Sequence, residues 1–497
     1  MQINLSIIQL EGYNYFSYLK TKYKKFKPLI FKLILLPFFV LGMIVFHKES
    51  IYIYGAYLTT EIIFAIYLYK DNNIKRYLCT KKIFRYYVIL FAIMFLSITL
   101  YLLSYNNGYV KVSLYFMTLI CYFATIITLI INSIFDKFLM RIYIRKAKSK
   151  IKKNNVKIIA ITGSYGKTSV KNILYGMLLK KYNVVMTPKS FNTPAGVCKF
   201  VNETDFSNVE YFIVEMGAKK KGEINALCKI FKPDYGILTS IGEQHLDTFK
   251  SIENIIKTKC ELQSNVDNGV MVFNDYNQYV KNADDLFLGK KKSVGTNLDV
   301  WYENYCFNNG NPTFDLIIKD LENKKSFSVS TRLLGEHNAV NICLSVAMAK
   351  ILYVENCLLL EAINEQVPVE SRLQVNKLDN NVIIINNGYN SNPYSASCSL
   401  RVLGEYNCKK IIITPGFVEM GKKQYELNYD FGRQIAKVVD AVYIVNKVNR
   451  VALSSGLEIE GFKECNMKYF KTFKDIDFAG FKDCVVLIEN DLPTNYV

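Results

Sequence analysis

Cysteine and histidine occur in this chain without the spacing that would make them a metal or redox site. The 497 residues hold twelve scattered cysteines with no Cys-x-x-Cys pair, and the three histidines stand at no metal-ligand spacing from them. This excludes a zinc-ribbon or dithiol chemistry and leaves the cysteines as reduced, buried apolar residues of a cytoplasmic body. Acidic residues are scarce in the first third: residues 1–155 carry 22 Lys/Arg against 5 Asp/Glu, the remainder 40 against 38. The formal charge of +19 is therefore local, and its distribution excludes a nucleic-acid-binding body. No internal repeat or low-complexity tract occurs from about residue 156 onward. One missing glycine is informative in the same way. The common Walker pattern requires a glycine five residues before Gly166, where this chain has Ile161.

What the first third does contain is apolar residues. Leu29 to Phe46, Ile51 to Tyr69, Tyr86 to Ser104 and Val112 to Phe135 are each about as long as a bilayer-spanning helix requires. The last two carry no charge; the first carries Lys32 and Pro37, and the second carries Glu61 near its middle. An ionisable group at that depth is a candidate functional site, and it leaves a transporter as a minor alternative. Basic clusters precede the first run, separate the second from the third and follow the fourth. They predict a retained four-span membrane anchor, with both termini and the body that follows cytoplasmic.

From about Val156 the pattern changes to short β-rich runs alternating with helical stretches. The first series is Val156 to Thr162, Asn183 to Thr187, Glu210 to Glu215, Tyr235 to Ser240 and Val270 to Asn274. A second starts near Leu373 and continues with Val382 to Ile385, Lys410 to Thr414, Ala441 to Val445 and Cys484 to Ile488. This predicts an α/β class of mostly parallel sheets in two consecutive domains, joined between Val367 and Glu370 after a helical stretch from Asn338 to Asn364. The expected division is a membrane domain over 1–150, a central α/β domain over 151–367 and a C-terminal Rossmann-like domain over 368–497.

Residues 158–169 read Ile-Ile-Ala-Ile-Thr-Gly-Ser-Tyr-Gly-Lys-Thr-Ser, an apolar strand entering a glycine-bounded turn that ends in a lysine and a hydroxyl. This is a nucleotide-phosphate cradle. Gly163 and Gly166 allow backbone N–H groups to close on phosphate, Lys167 reaches the terminal phosphates, and the Thr168 hydroxyl suits magnesium at a helix start. Further polar residues fall at expected strand ends: Glu215-Met216-Gly217, Thr239 to Gly242 followed by Gln244-His245-Leu246-Asp247, and Asn274-Asp275. Ligands of α/β sheets gather at those ends.

At these residues the chain resembles the Mur ligases, ATP-dependent amide-forming enzymes of bacterial wall synthesis, most closely the branch that adds D-alanyl-D-alanine to a UDP-muramoyl tripeptide. The resemblance is carried by Thr162 to Ser169, Phe191-Asn192-Thr193, Glu215 to Ala218, His245 to Asp247 and Lys257 to Glu261. It continues through Asn274-Asp275, Gly335 to Asn341, Ser371-Arg372-Leu373, Tyr389 to Pro393 and Thr414-Pro415-Gly416, in family order over about residues 156–420. It implies that a substrate carboxylate takes the γ-phosphate of ATP and that an amine displaces the acyl phosphate. Lys167, Lys259, His245 and Arg372 would be catalytic. Gly163, Ser164, Gly166, Lys167, Thr168, Ser169, Asn274, Asn338, Asn341 and Arg372 would hold the nucleotide, with His337 beside the two asparagines. Thr168, Glu215, His245 and Lys259 would hold magnesium, Lys259 as a carbamate.

Two departures stand out. Where the family carries acidic residues before Tyr389, this chain has Asn386-Asn387-Gly388, and the UDP-holding N-terminal domain is replaced by the apolar segment. The leading expectation is therefore a membrane-anchored ligase joining an amino acid or dipeptide to a lipid-linked or surface-polymer carboxylate. The alternatives are ordinary D-alanyl-D-alanine addition and an ATP-binding scaffold without ligase activity. The end of the chain, Glu489-Asn490-Asp491-Leu492-Pro493, reads as a strand exit near the last cleft.

Overall fold

The computed structural model describes residues 81–106 and 110–490, apart from 190, 267–268, 309–310, 321–322, 379 and 389–390. Residues 1–142 and 143–497 form two compact units. In the first, helices α1 (Lys81–Asn106) and α2 (Val110–Lys153) carry the third and fourth apolar runs, α2 extending beyond the unit to its basic end. Lys82 and Arg85 of α1 pair with Asp136 of α2, and Arg85 Nε donates to Asn132 Oδ1 at 2.6 Å.

The expected membrane domain is corrected here. Among the described residues no helix is long and apolar enough to cross a membrane. The apolar runs belong to helices whose Lys82, Arg85, Asn132 and Asp136 are bonded to one another, and α2 continues through a basic stretch to Lys153. The expected multi-pass location in a cell membrane is corrected with it. The first two expected spans, Glu61 included, lie outside the described residues.

The second unit contains two sheets. The first has the order β2-β3-β1-β4-β5-β6-β7-β8-β9. Its centre is made of short apolar strands buried on both faces, as parallel strands under helices must be: β1 (Lys157–Thr162), β3 (Tyr211–Glu215), β4 (Tyr235–Leu238) and β5 (Val270–Asn274), with the shorter, half-buried β2 (Val184–Met186) at one edge. Registers such as Ile161 with Glu215 and Thr162 with Leu238 bring the strands' carboxyl ends level. The sheet continues through β6 (Lys290–Val294) into an antiparallel meander of β7 (Val300–Asn308), β8 (Asn311–Asp320) and β9 (Asn323–Ser330). The expected mostly parallel sheet is thus a mixed one.

Helices α3 (Lys167–Leu179) and α4 (Pro194–Glu203) follow β1 and β2. Next come α5 (Glu223–Phe231), α6 (Leu246–Phe249), α7 (Ile252–Lys259) and α8 (Gln278–Asp285). The almost wholly buried α9 (Glu336–Ile351) and its neighbour α10 (Asn356–Glu365) share one core with α3, built on Ile159, Ile161, Val170, Leu174, Ile342 and Val346.

The second sheet has the order β10-β11-β15-β12-β13-β14. It comprises β10 (Gln374–Leu378), β11 (Val382–Asn387), β12 (Lys409–Thr414), β13 (Ala441–Val445), β14 (Met467–Phe470) and β15 (Cys484–Glu489). Only β10 runs antiparallel to its neighbour. Helices α11 (Pro393–Gly404), α12 (Gln424–Ala436) and α13 (Arg450–Ile459) accompany it.

Candidate active site

The carboxyl ends of β1, β3 and β4 and the end of β11 open on one cleft of about 700 Å³. The turn after β1 lines it. Gly166 has φ of 80°, and a Cβ there would meet Asn341 Oδ1 at 2.8 Å, so both conformation and space require glycine. The N–H groups of Ser164 and Tyr165 are both bonded to Ser240 O. The donors left for an anion are therefore those of the first turn of α3, which no helical carbonyl can reach. Lys167 Nζ donates to Gly163 O at 2.8 Å and Ser164 O at 2.9 Å. Burial pushes its ammonium down to about 8, against the pull of Glu215 and with the push of Arg372.

Glu215 is the centre of a buried polar cluster. Thr168 Oγ1 donates to its Oε2 at 3.0 Å, Asn192 Nδ2 to its Oε1 at 3.1 Å, and Lys171 Nζ lies 3.2 Å from Oε2 with both side chains buried. Burial alone would raise the carboxyl; Lys171, Lys167 and the Asn192 bond outweigh it and hold the group below its usual range. Lys259, 2 % exposed at the end of α7, is held well below the ordinary lysine value by burial and by Lys167. His245 sits in the left-handed region at the start of α6, and its Nδ1 lies 2.7 Å from Glu419 Oε2. An ionised carboxylate only accepts, so Nδ1 carries the proton and Nε2 remains for a ligand.

Asn338 and Asn341 do not cap their helix; Gly335 holds that position. Asn341 Nδ2 donates to Asn338 Oδ1 at 2.9 Å, and Asn338 Nδ2 to Leu334 O at 2.8 Å. His337 joins them in the cleft wall, its ring lowered to about 4 by burial and by Arg401 and Arg372. Arg372 is flanked by two residues in left-handed backbone, Ser371 with φ of 58° and Leu373 with φ of 48°. Such strain is characteristic of a functional junction.

Of the expected residues, Ser164, Gly166, Lys167, Thr168, Ser169, Glu215, His245, Lys259, Asn338, Asn341 and Arg372 all line this cleft. Gly163 and Asn274 do not. Gly163 lies beneath the turn, where a Cβ would strike Thr239 Oγ1, and Asn274 supports the same turn from behind by donating to Ser240 Oγ at 2.9 Å. Lys171 and Glu419 were missed. Lys171 lies one helical turn beyond Lys167 and so carried a signal; Glu419 comes from the far sheet and carried none.

The oxygen donors Thr168 and Glu215 suit magnesium, an ion usually held by one or two protein oxygens together with substrate phosphates and water. Among the described residues no three His, Cys, Asp or Glu side chains gather as a dedicated cage. The fit is to a metal that arrives with a nucleotide.

The chain is an ATP-dependent carbon–nitrogen ligase, and its residues 161–349 match the Mur ligase middle domain. Among curated relatives, the UDP-N-acetylmuramoyl-tripeptide--D-alanyl-D-alanine ligase of Borreliella burgdorferi is 28% identical over 342 residues, covering 66% of this chain and 70% of that protein. The Mycobacterium tuberculosis enzyme of the same name is 31% identical over 255 residues, half of this chain and 48% of the relative. Among solved structures, the MurF ligase of Thermotoga maritima in complex with ADP superposes with a TM-score of 0.62 at 23% identity, covering 71% of this chain and 80% of that one. MurF from Acinetobacter baumannii gives 0.63 at 22%, covering 71% and 77%. At these identities the structures establish a shared fold.

Proposed function

We propose that this ligase adds a D-alanyl-D-alanine dipeptide to the carboxylate of a UDP-muramoyl tripeptide, with magnesium supplied alongside ATP. The observation that carries the reading is the convergence of Lys167, Arg372, Glu215 and Lys259 on one cleft between two sheets, combined with relatives that bear that activity in their names. The expectation of a lipid-linked or polymer acceptor drew on the membrane spans and on the replaced UDP-holding domain, and the names of the relatives give it no support.

In this reading a carboxylate oxygen of the acceptor bonds to the γ-phosphorus as its bond to the β-bridging oxygen breaks, releasing ADP. The dipeptide nitrogen then bonds to the acyl carbon, the carbon–phosphate oxygen bond breaks, and the amine proton leaves with solvent or phosphate. Lys167 and the first turn of α3 hold the terminal phosphates, and Arg372 adds a guanidinium from the junction between the two sheets. Thr168 and Glu215 would hold the magnesium, which neutralises phosphate charge when bound. His245 Nε2 adds a donor fixed by Glu419. Lys259, its ammonium disfavoured by burial and by Lys167, is suited to the carbamate that the resemblance implies.

The test uses the purified chain with ATP, magnesium, UDP-muramoyl tripeptide and the dipeptide. Phosphate release that requires both substrates, with the amide product seen by mass, supports the reading; release without the dipeptide rejects it. The scaffold reading draws on Asn386 and Asn387. Lys167→Ala decides between them, since a ligase loses turnover by about 100-fold or more and a scaffold keeps its role.

A further inference from the structure

Strand β11 ends in two neutral amides, Asn386 and Asn387, of which Asn387 lines the cleft. The nearest carboxyl comes from another strand. Asn387 pairs in register with Glu489, the last residue of β15. Asn387 Nδ2 donates to Glu489 Oε2 at 3.0 Å and Oε1 at 3.2 Å, and lies 2.9 Å from Ser399 Oγ of α11. The Ser391 hydroxyl donates to Glu489 Oε1. Glu489 is completely buried. Its neighbour Asn490, left-handed with φ of 68°, accepts from Ser391 N at 3.1 Å and donates to Gly416 O at 2.6 Å. Two successive residues at one strand end thus fasten the segment between β11 and α11 and the turn after β12. That segment lines the cleft through Asn387, Gly388 and Asn392, and α11 continues the wall with Tyr394 and Ser395.

We propose that Glu489 is a positioning residue for nucleotide binding, its ionised carboxylate holding Asn387 and Ser391 so that β11 and α11 present an ordered wall to the cleft. An ionised carboxylate only accepts and takes all these donors together; a protonated one must place a proton of its own and releases one of them. Burial pushes the Glu489 carboxyl up to about 7, offset in part by the bonds from Ser391, Asn387 and Ser399. The groups that face it, Asn387 from β11, Ser391 from the connecting segment and Ser399 from α11, are neutral, so the change of state resides on Glu489. The inference rests on the nucleotide reading of the cleft.

The test is ADP binding to the full-length chain by calorimetry from about pH 6 to about pH 8.5. Wild-type affinity is expected to rise about threefold to tenfold across neutrality, below the region near pH 8 where Lys167 loses its charge, and Glu489→Gln to lack that rise. Asn387→Asp provides a second route should Glu489→Gln fail to fold: a carboxylate beside Glu489 disfavours its ionisation and moves the rise to higher pH. A flat wild-type profile, or a wild-type profile retained in Glu489→Gln, overturns the proposal alone. Absence of ADP binding by the wild type at every pH overturns the nucleotide reading and this proposal with it.

Discussion

Gly166 is the residue whose identity is most tightly fixed. Its left-handed backbone disfavours any side chain, and a Cβ would come within 2.8 Å of Asn341 Oδ1 and displace it. Gly166→Ala is expected to cost about 1–2 kcal/mol from backbone conformation alone, measured by denaturant unfolding, and to weaken ADP binding as Asn341 is displaced. Glu489 gives a pH signature. Its folded value of about 7 lies above the ordinary 4.5, so the folded state holds a proton that the unfolded state has lost between those values. That contribution is complete below about 4.5 and is lost as pH rises through about 7. Thermal unfolding should show stability falling across this window in the wild type and a shallower fall in Glu489→Gln. Nucleotide affinity and global stability are thereby expected to move in opposite directions with pH. The residues of the phosphate turn were legible because a dozen contiguous positions carry the motif. Glu419 was not, and Glu489 was read as a strand exit without its partners, since 174 residues separate His245 from Glu419 and 102 separate Asn387 from Glu489, and only the folded sheets bring each pair together.

Helix α11 shows how an element end serves the cleft. Asn392 caps it, its Oδ1 accepting from Ser395 N at 2.9 Å, with Pro393 in the first turn. Asn392→Ala should destabilise the chain by about 1 kcal/mol and raise the ADP dissociation constant, because Asn392 and Ser395 both line the site. A thermal melt alongside ADP titration separates the two effects. The central strands β1, β3, β4 and β5 and the second-sheet strands β11, β12, β13 and β15 could be read from sequence because burial on both faces leaves an uninterrupted apolar run. Strand β6 begins Lys290-Lys291-Lys292, and β9 carries mostly exposed polar residues. Neither signals a buried strand, and with them the antiparallel end of the first sheet stayed hidden.

At the scale of the molecule, the charge excess and the apolar runs of the first third suggested a membrane anchor. Length and hydropathy report how apolar a run is and leave out the partners its flanking charges find, such as the pairing of Arg85 with Asn132 and Asp136. The second unit behaved differently, because the turn after β1, Glu215 at the end of β3, His245 after β4 and Asn387 at the end of β11 all line one cleft. The central claim is that this cleft activates a carboxylate with ATP. Positional isotope exchange tests it most directly, following oxygen-18 between the β-nonbridging and β,γ-bridging positions of ATP with the tripeptide acceptor present and the dipeptide withheld. Exchange that requires the acceptor and disappears in Lys167→Ala is the expected result. ATP whose label stays in place with acceptor bound would contradict the account.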